Sequence, residues 1–190
     1  THCFYGDERD HEQLVEYFGG EQGIPDSVFL DAQTLSEVED DRLDFVISAH
    51  VIEHLHDPIG SIKNTLKKIK TGGNFILVVP DRHFTFDKAR PPTSLEHLLQ
   101  DEKDGGASST YQSYFEHVKY VHPLFDAPIP EDQIDSHVRM LMNARHDIHM
   151  HCWNGAEFAE LLRNVLINGQ ASVAGHTFIR NENKFVIRKC

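Results

Sequence analysis

The sequence predicts an α/β fold, an open and mostly parallel sheet with helices on both faces. Three observations carry that prediction. First, Leu43-Asp44-Phe45-Val46-Ile47-Ser48 is an apolar run of strand length, suited to a strand covered on both faces. Second, Ile59, Ile62, Leu66 and Ile69 recur at helical spacing behind Pro58, a residue that a first helical turn tolerates. Third, Thr71-Gly72-Gly73 ends that helix and turns the chain into an apolar strand over 74–79, stopped by Pro80. Strand, helix, turn and strand make a βαβ unit, and such units build parallel sheets.

The remaining elements follow in order. A short strand over 3–5 precedes the acidic pair Asp7-Glu8, and a helix over 11–18 carries Leu14, Val15 and Phe18 before Gly19-Gly20. A brief strand over 27–30 ends at Asp31. Lys63, Lys67, Lys68 and Lys70 form the solvated side of the helix behind Pro58, with cations near the negative end of its dipole. From 81 to 151 the character changes, with Pro91-Pro92, a flexible stretch over 104–109 and helices over 94–103, 111–122 and 131–145. This segment reads as a helical insertion after a strand, without a core of its own. Asn154 caps a further helix striped by Phe158, Leu161, Leu162 and Val165. Strands over 171–179 and 184–188 close the chain as an antiparallel pair. Residues 1–190 are thus one domain, with 1–80 and 152–190 as the α/β core.

Composition narrows the function. The 190 residues carry 18 Lys+Arg against 30 Asp+Glu, a net charge of −12. Nucleic acid and anionic membranes both call for a basic footprint, so neither is expected as a partner. Hydrophobic residues make up 39%, with 12 Phe, enough for a real core. No apolar run approaches the ~20 residues of a membrane helix, and the opening residues show no signal-peptide pattern. Cys3, Cys152 and Cys190 are too few and too scattered for a disulfide framework, which points to the cytoplasm.

Two histidine motifs stand out among 14 His. His50-Val51-Ile52-Glu53-His54 matches H-x-x-E-H, whose histidines on a long helix grip zinc. Here it follows a buried strand and runs into Pro58, so it occupies a connecting stub. His146-Asp147-Ile148-His149-Met150-His151-Cys152 crowds ligand-type side chains into one loop. Such a loop suits a substrate-facing role better than a metal, and no metal ligand is assigned. A third signal is the set of acids at strand ends, Asp7 or Glu8 and Asp31, beside Ser48-Ala49-His50. In open parallel sheets ligands bind beyond the carboxyl ends of the strands, where one carboxylate can take ribose hydroxyls and another an adenine amino group.

The run from Leu43 to Pro58 resembles the fourth-strand region of class I S-adenosylmethionine-dependent methyltransferases of the type 11 kind. That family's pattern FD-x-V-x-x-x-x-V-x-EHL-x-D-P is followed by a helix and a GG turn, supplied here by Leu66 to Pro80. The resemblance implies a Rossmann-like sheet, S-adenosyl-L-methionine as cofactor and a small-molecule or glycan-precursor acceptor. It places the H-x-x-E-H residues on the family's helix after strand four. Asp7, or Glu8, would take the ribose; Asp31 and the backbone N–H of Ala32 would meet the adenine; Ser48, Ala49 and His50 would line the methionine side. The insertion would cover the acceptor, with His83, His149 and His151 as first base candidates and His54 and His117 behind them. Arg82, Arg90, Tyr111 and Tyr114 are the substrate-binding candidates. A homo-oligomer stays open.

One departure matters. The family's first strand carries a glycine-rich acidic motif, and no such motif occurs here. That strand lies between the second and fourth strands, so its absence is expected to split the sheet and leave two inner edges unpaired. A βα unit of roughly 30 or more residues before Thr1 would fill the gap. Two rival readings accompany the methyltransferase: a methyltransferase-like binding or assembly module without activity, and a zinc hydrolase built on the histidines.

Overall fold

The computed structural model describes the backbone of residues 3–5 and 27–29 and the full structure of residues 30–190. Six strands are described: β1 (Cys3–Tyr5), β2 (Ser27–Phe29), β3 (Leu43–Ala49), β4 (Ile69–Pro80), β5 (Ala171–Ile179) and β6 (Glu182–Lys189). They form two sheets. β1 and β2 pair in parallel, and the second sheet has the order β3-β4-β6-β5. The split expected from the sequence is therefore present among the described residues. Its consequence shows on β3, where Phe45 and Ile47, two apart on one face, are 53% and 59% exposed. The prediction over 11–18 lies outside the described residues.

Parallel pairing is less dominant than predicted. β3–β4 is parallel, but β4–β6 and β5–β6 are antiparallel. The closing hairpin accounts for this, since Ile179 pairs with Glu182 and leaves only Arg180-Asn181 as the turn. Arg180 adopts a positive φ of 60°, the conformation that tight hairpin turns need.

Helix α1 (Pro58–Lys68) begins where Asp57 accepts a hydrogen bond from the Gly60 N–H at 2.7 Å, with Pro58 at the first position. It was expected to end in a Gly-Gly turn. Instead the chain passes straight into β4 at Ile69, and the register between β3 and β4 slips, Leu43 facing Ile69 but Phe45 facing Asn74. Residues 70–73 are thus an excursion within the ladder. Gly73 is required there, because a Cβ would lie 2.5 Å from the Asp44 carbonyl oxygen.

The main core packs α1 and α5 (Gly155–Val165) against the sheet, through Ile59, Ile62, Phe75, Leu77, Phe158 and Phe185, all at most 2% exposed. Each fully buried large side chain contributes roughly 1.5–3 kcal/mol. A capping box closes the start of α5, with the Asn154 side chain accepting from the Ala156 and Glu157 N–H groups and Glu157 accepting from the Asn154 N–H.

Between β4 and α5 lie α2 (Leu95–Asp104), α3 (Thr110–Glu116) and α4 (Ile134–Asn143). The predicted helix over 111–122 continues α3 as a π-helical turn over His117–Val121, and that over 131–145 is a short 3-10 turn followed by α4. The segment holds a small buried cluster of its own, Tyr114, Val118, Val138, Ile148 and Met150, while Leu98 of α2 joins the main core. Among the described residues no helix is long and apolar enough to cross a membrane.

Candidate active site

The turn after β2 meets the start of α1, and the end of β4 meets the start of α5. β2 leads into a turn whose backbone is held by Asp31: its carboxylate accepts from the Gln33 N–H and the Thr34 hydroxyl, both at 2.9 Å. Gln33 accepts from the Asp57 N–H at 3.1 Å, and the Ala32 carbonyl accepts from the Ser61 hydroxyl at 2.9 Å. The turn is thereby pinned to the first turn of α1, with Asp31 on the surface. Asp7 and Glu8 lie outside the described residues.

β3 ends at Ala49, and His50 turns the chain with φ of 54°. Its N–H donates to the Val78 carbonyl at 3.1 Å, so the ladder to β4 fixes where the ring starts. The ring bridges two acids, Nε2 to Glu182 at 2.9 Å and Nδ1 to Glu53 at 3.5 Å, the latter an ion-pair distance. Glu53, and after it Glu182, outweigh partial burial and raise the imidazole to about 9. Ser48 is half-buried, and Ala49 and His50 are exposed.

At the end of β4, Asp81 is 7% exposed and fully committed. It accepts from the His83 N–H, from the Gly155 N–H at the start of α5 and from the Asn183 side chain at 3.1–3.2 Å. The His83 ring lies with Nδ1 3.2 Å from Asp81 and is half exposed. Asn183 in turn holds His176 at 3.0 Å. Together with Phe84 and Phe178, whose rings lie 5.6 Å apart, these residues line an open cleft of ≈ 580 Å³. An exposed imidazole fixed by a buried, anchored carboxylate can take a proton from a hydroxyl lying in that cleft.

The structure separates the other candidates. His149 Nδ1 is bonded to Asp87 at 2.6 Å and its ring packs against Phe86 and His54. His151 is 1% exposed beside His97 and Asp101, and burial lowers it to about 3, so it is a neutral core group closed to a substrate. Arg82 is spent on Glu157, with two bonds of 3.1 and 3.2 Å. Arg90, 2% exposed, donates to Asp87, Glu116 and the carbonyls of His149 and Met150. Tyr114 donates to the His146 carbonyl and Tyr111 to Asp135. The two arginines and two tyrosines are thus bonded within the protein and do not gather at one place.

Sequence reasoning missed Asp81, Asp87 and Asn183 as organisers of this region. Only Asp81 had a signal, its place one residue beyond Pro80 at a strand end. Two groups of donors have metal-type proximity among the described residues, Glu53 with His54 and His149, and His97 with Asp101 and His151.

A family model described as "Methyltransferase domain" matches residues 7–165. No curated protein matches the sequence. Among solved structures, the chain is similar to a Rhodobacter sphaeroides protein described as a Zn-dependent alcohol dehydrogenase, at 14% identity and a TM-score of 0.60, covering 100% of this chain and 74% of that one. A Thermotoga maritima SAM-dependent methyltransferase superposes at 14% identity and 0.52, covering 100% and 73%. A Haloferax volcanii methyltransferase complex with the activator Trm112 gives 13% and 0.52, covering 99% and 71%. At such identities these likenesses speak for the fold.

Proposed function

Because the chain belongs to the methyltransferase domain family whose model spans 7–165, we propose that it transfers the methyl group of S-adenosyl-L-methionine to a hydroxyl of a small-molecule or sugar-type acceptor. The observation that supports this reading best is the placement of Asp31 and of Ser48 to His50 at the carboxyl ends of β2 and β3, the turn after Asp31 being bonded to the first turn of α1. An exposed carboxylate there suits the adenosine, and the backbone beyond β3 suits the methionine part. Methyl transfer is an in-line displacement, so the enzyme's task is to align the acceptor oxygen with the sulfonium methyl. His83, oriented by Asp81, takes the acceptor proton as the C–O bond forms and the C–S bond breaks. A net charge of −12 disfavours nucleic acid as acceptor. The same reading covers a cytoplasmic, single-domain protein free of membranes.

Calorimetric titration of the full gene product with S-adenosyl-L-methionine tests this. Binding with saturable heat is expected, weakened ~10–100-fold by Asp31→Ala through loss of one charge-assisted hydrogen bond. His83→Ala is expected to lower kcat ~10²–10⁴-fold, the usual share of a general base, with the cofactor affinity kept. Absence of heat would overturn the methyltransferase reading in favour of a binding module without catalysis.

A further inference from the structure

The two histidine motifs, read from the sequence as separate features, meet in space. Glu53 lies in the 3-10 stub Ile52–His54 after β3 and is 1% exposed, yet neither of its carboxylate oxygens has a hydrogen-bond partner. The His50 ring stands 3.5 Å from Oε1 as an ion-pair neighbour, which still leaves the buried carboxylate short of hydrogen bonds and able to take a metal cation as well. His54 and His149 face it, their rings 4.8 Å apart and nearly perpendicular. One donor atom from each of the three lies within 4.8 Å of the others. Each ring is also held from behind: Asp147 bonds His54 Nδ1 at 2.8 Å and Asp87 bonds His149 Nδ1 at 2.6 Å. Both histidines are thereby left with Nε2 as the free nitrogen. A carboxylate fixing the far nitrogen of a histidine is the usual outer support of a metal ligand.

We propose that Glu53, His54 and His149 bind a divalent transition-metal ion of the zinc or cobalt type through one carboxylate and two imidazole nitrogens. Three protein ligands leave coordination positions open, as in catalytic rather than structural zinc sites. His54, 30% exposed, gives solvent access to them. Donors at ~2.0–2.2 Å around a tetrahedral ion stand about 3.3–3.6 Å apart, so a group whose donor atoms lie within 4.8 Å of one another closes by up to about 1.5 Å, a side-chain adjustment, when the ion binds. His50 of the H-x-x-E-H run is not a ligand, since its ring bridges Glu53 and Glu182. The open positions take water or, if the methyltransferase reading holds, an oxygen of the acceptor. The second group, His97, Asp101 and His151, differs by being sealed, with Asp101 and His151 at most 1% exposed and the Asp101 carboxylate bonded by Ser109.

Titration of the full-length protein with Co²⁺ alone, followed by its visible d–d absorption and by displacement with Zn²⁺, tests the site. One equivalent is expected to bind. Glu53→Gln and His149→Ala should each weaken binding 100-fold or more. Asp147→Asn, at a residue 83% exposed and therefore safe for folding, should weaken it about 10–100-fold. His97→Ala probes the sealed group, and the pair His122→Ala/His137→Ala, whose rings lie 5.0 Å apart outside the site, probes stray binding. Absorption lost in either of those and kept in Glu53→Gln and Asp147→Asn would overturn the proposal, as would no bound cobalt. The measurement involves no S-adenosylmethionine, so its outcome stands apart from that of the methyl-transfer assay.

Discussion

Replacing Arg90 by Met should cost far more stability than the loss of any surface charge. The Arg90 and Asp87 side chains are 1% and 2% exposed and joined at 2.9 Å. Removing one partner of such a buried pair costs about 3–5 kcal/mol, because the other charge stays behind without compensation. The Arg90→Met variant also strips the donors that reach the His149 carbonyl at 2.7 Å and the Met150 carbonyl at 3.2 Å, for about 1–3 kcal/mol if these stay unsatisfied. Asp87 keeps the His149 ring, which softens the loss, so about 4 kcal/mol is a fair central value. That is a large part of the ~5–15 kcal/mol typical of a folded protein, and at ~2–4 °C per kcal/mol it lowers Tm by about 8–16 °C. Urea unfolding followed by far-UV circular dichroism reads it directly. Lys70→Met, which breaks the exposed pair with Asp44, should leave the midpoint unchanged. Adding Asp87→Asn to Arg90→Met should recover part of the loss, since the penalty is the stranded charge. An Arg90→Met protein within about 1 kcal/mol of the parent would refute the reasoning and return Arg90 to the substrate-binding candidates.

Two further outcomes follow from single positions. Gly106 has φ of 78°, and a Cβ there would sit 2.6 Å from the His56 carbonyl oxygen, whereas Gly105, at 67°, has open space around it. Gly105→Ala should therefore lose only the backbone strain, about 1 kcal/mol, and Gly106→Ala distinctly more, as read by thermal melts; equal losses would contradict the contact. His117 is lowered to about 4, chiefly by burial and then by the Arg90 charge. Its folded pKa lies below the ordinary ~6.5, so the unfolded chain binds the extra proton first, and its contribution is present above that value and lost as pH falls toward about 4. His117→Gln should flatten the urea midpoint across that range, and an unchanged slope would refute the role.

Local signals made the β3–α1–β4 unit legible, because one apolar run, one helical stripe and one cap occur in consecutive residues. The closing hairpin was legible for the same reason. The end of α1 was not: Gly72-Gly73 reads as a turn after a longer helix, but Leu43 pairs with Ile69 and so starts β4 there. Residues 70–73 are left as an excursion before the regular ladder resumes at Asn74, a decision made by a partner outside the helix. The site divided similarly. Asp31 and Ser48 to His50 could be placed at strand ends because strand ends are local features. The fates of Arg90 and His151 were hidden, because an arginine beside two prolines and a histidine in a polar loop give no hint of the acids that packing brings to them. Glu53 carried a signal in H-x-x-E-H, but that motif pairs it only with its own two histidines, whereas the structure keeps it 3.5 Å from His50 and also groups it with His54 and a histidine 96 positions later.

Burial separates histidines that the sequence treats alike. His83, His149 and His151 have side chains 51%, 13% and 1% exposed. A general base has to touch the acceptor and then give up its proton, which excludes a ring sealed in the core and kept neutral by desolvation. The ring of His149 is turned by Asp87 toward Glu53 and His54, an arrangement suited to holding a cation. His83 alone among the three combines an exposed ring with a buried acid, and that acid is itself fixed by α5 and β6 through the Gly155 N–H and Asn183. The two proposed functions therefore part along the chain, proton transfer at the end of β4 and ion binding at the end of β3. A His83→Ala variant that loses turnover but binds cobalt normally, beside a Glu53→Gln variant that loses cobalt, would show that division; loss of both together in His83→Ala would mean the two places are one site.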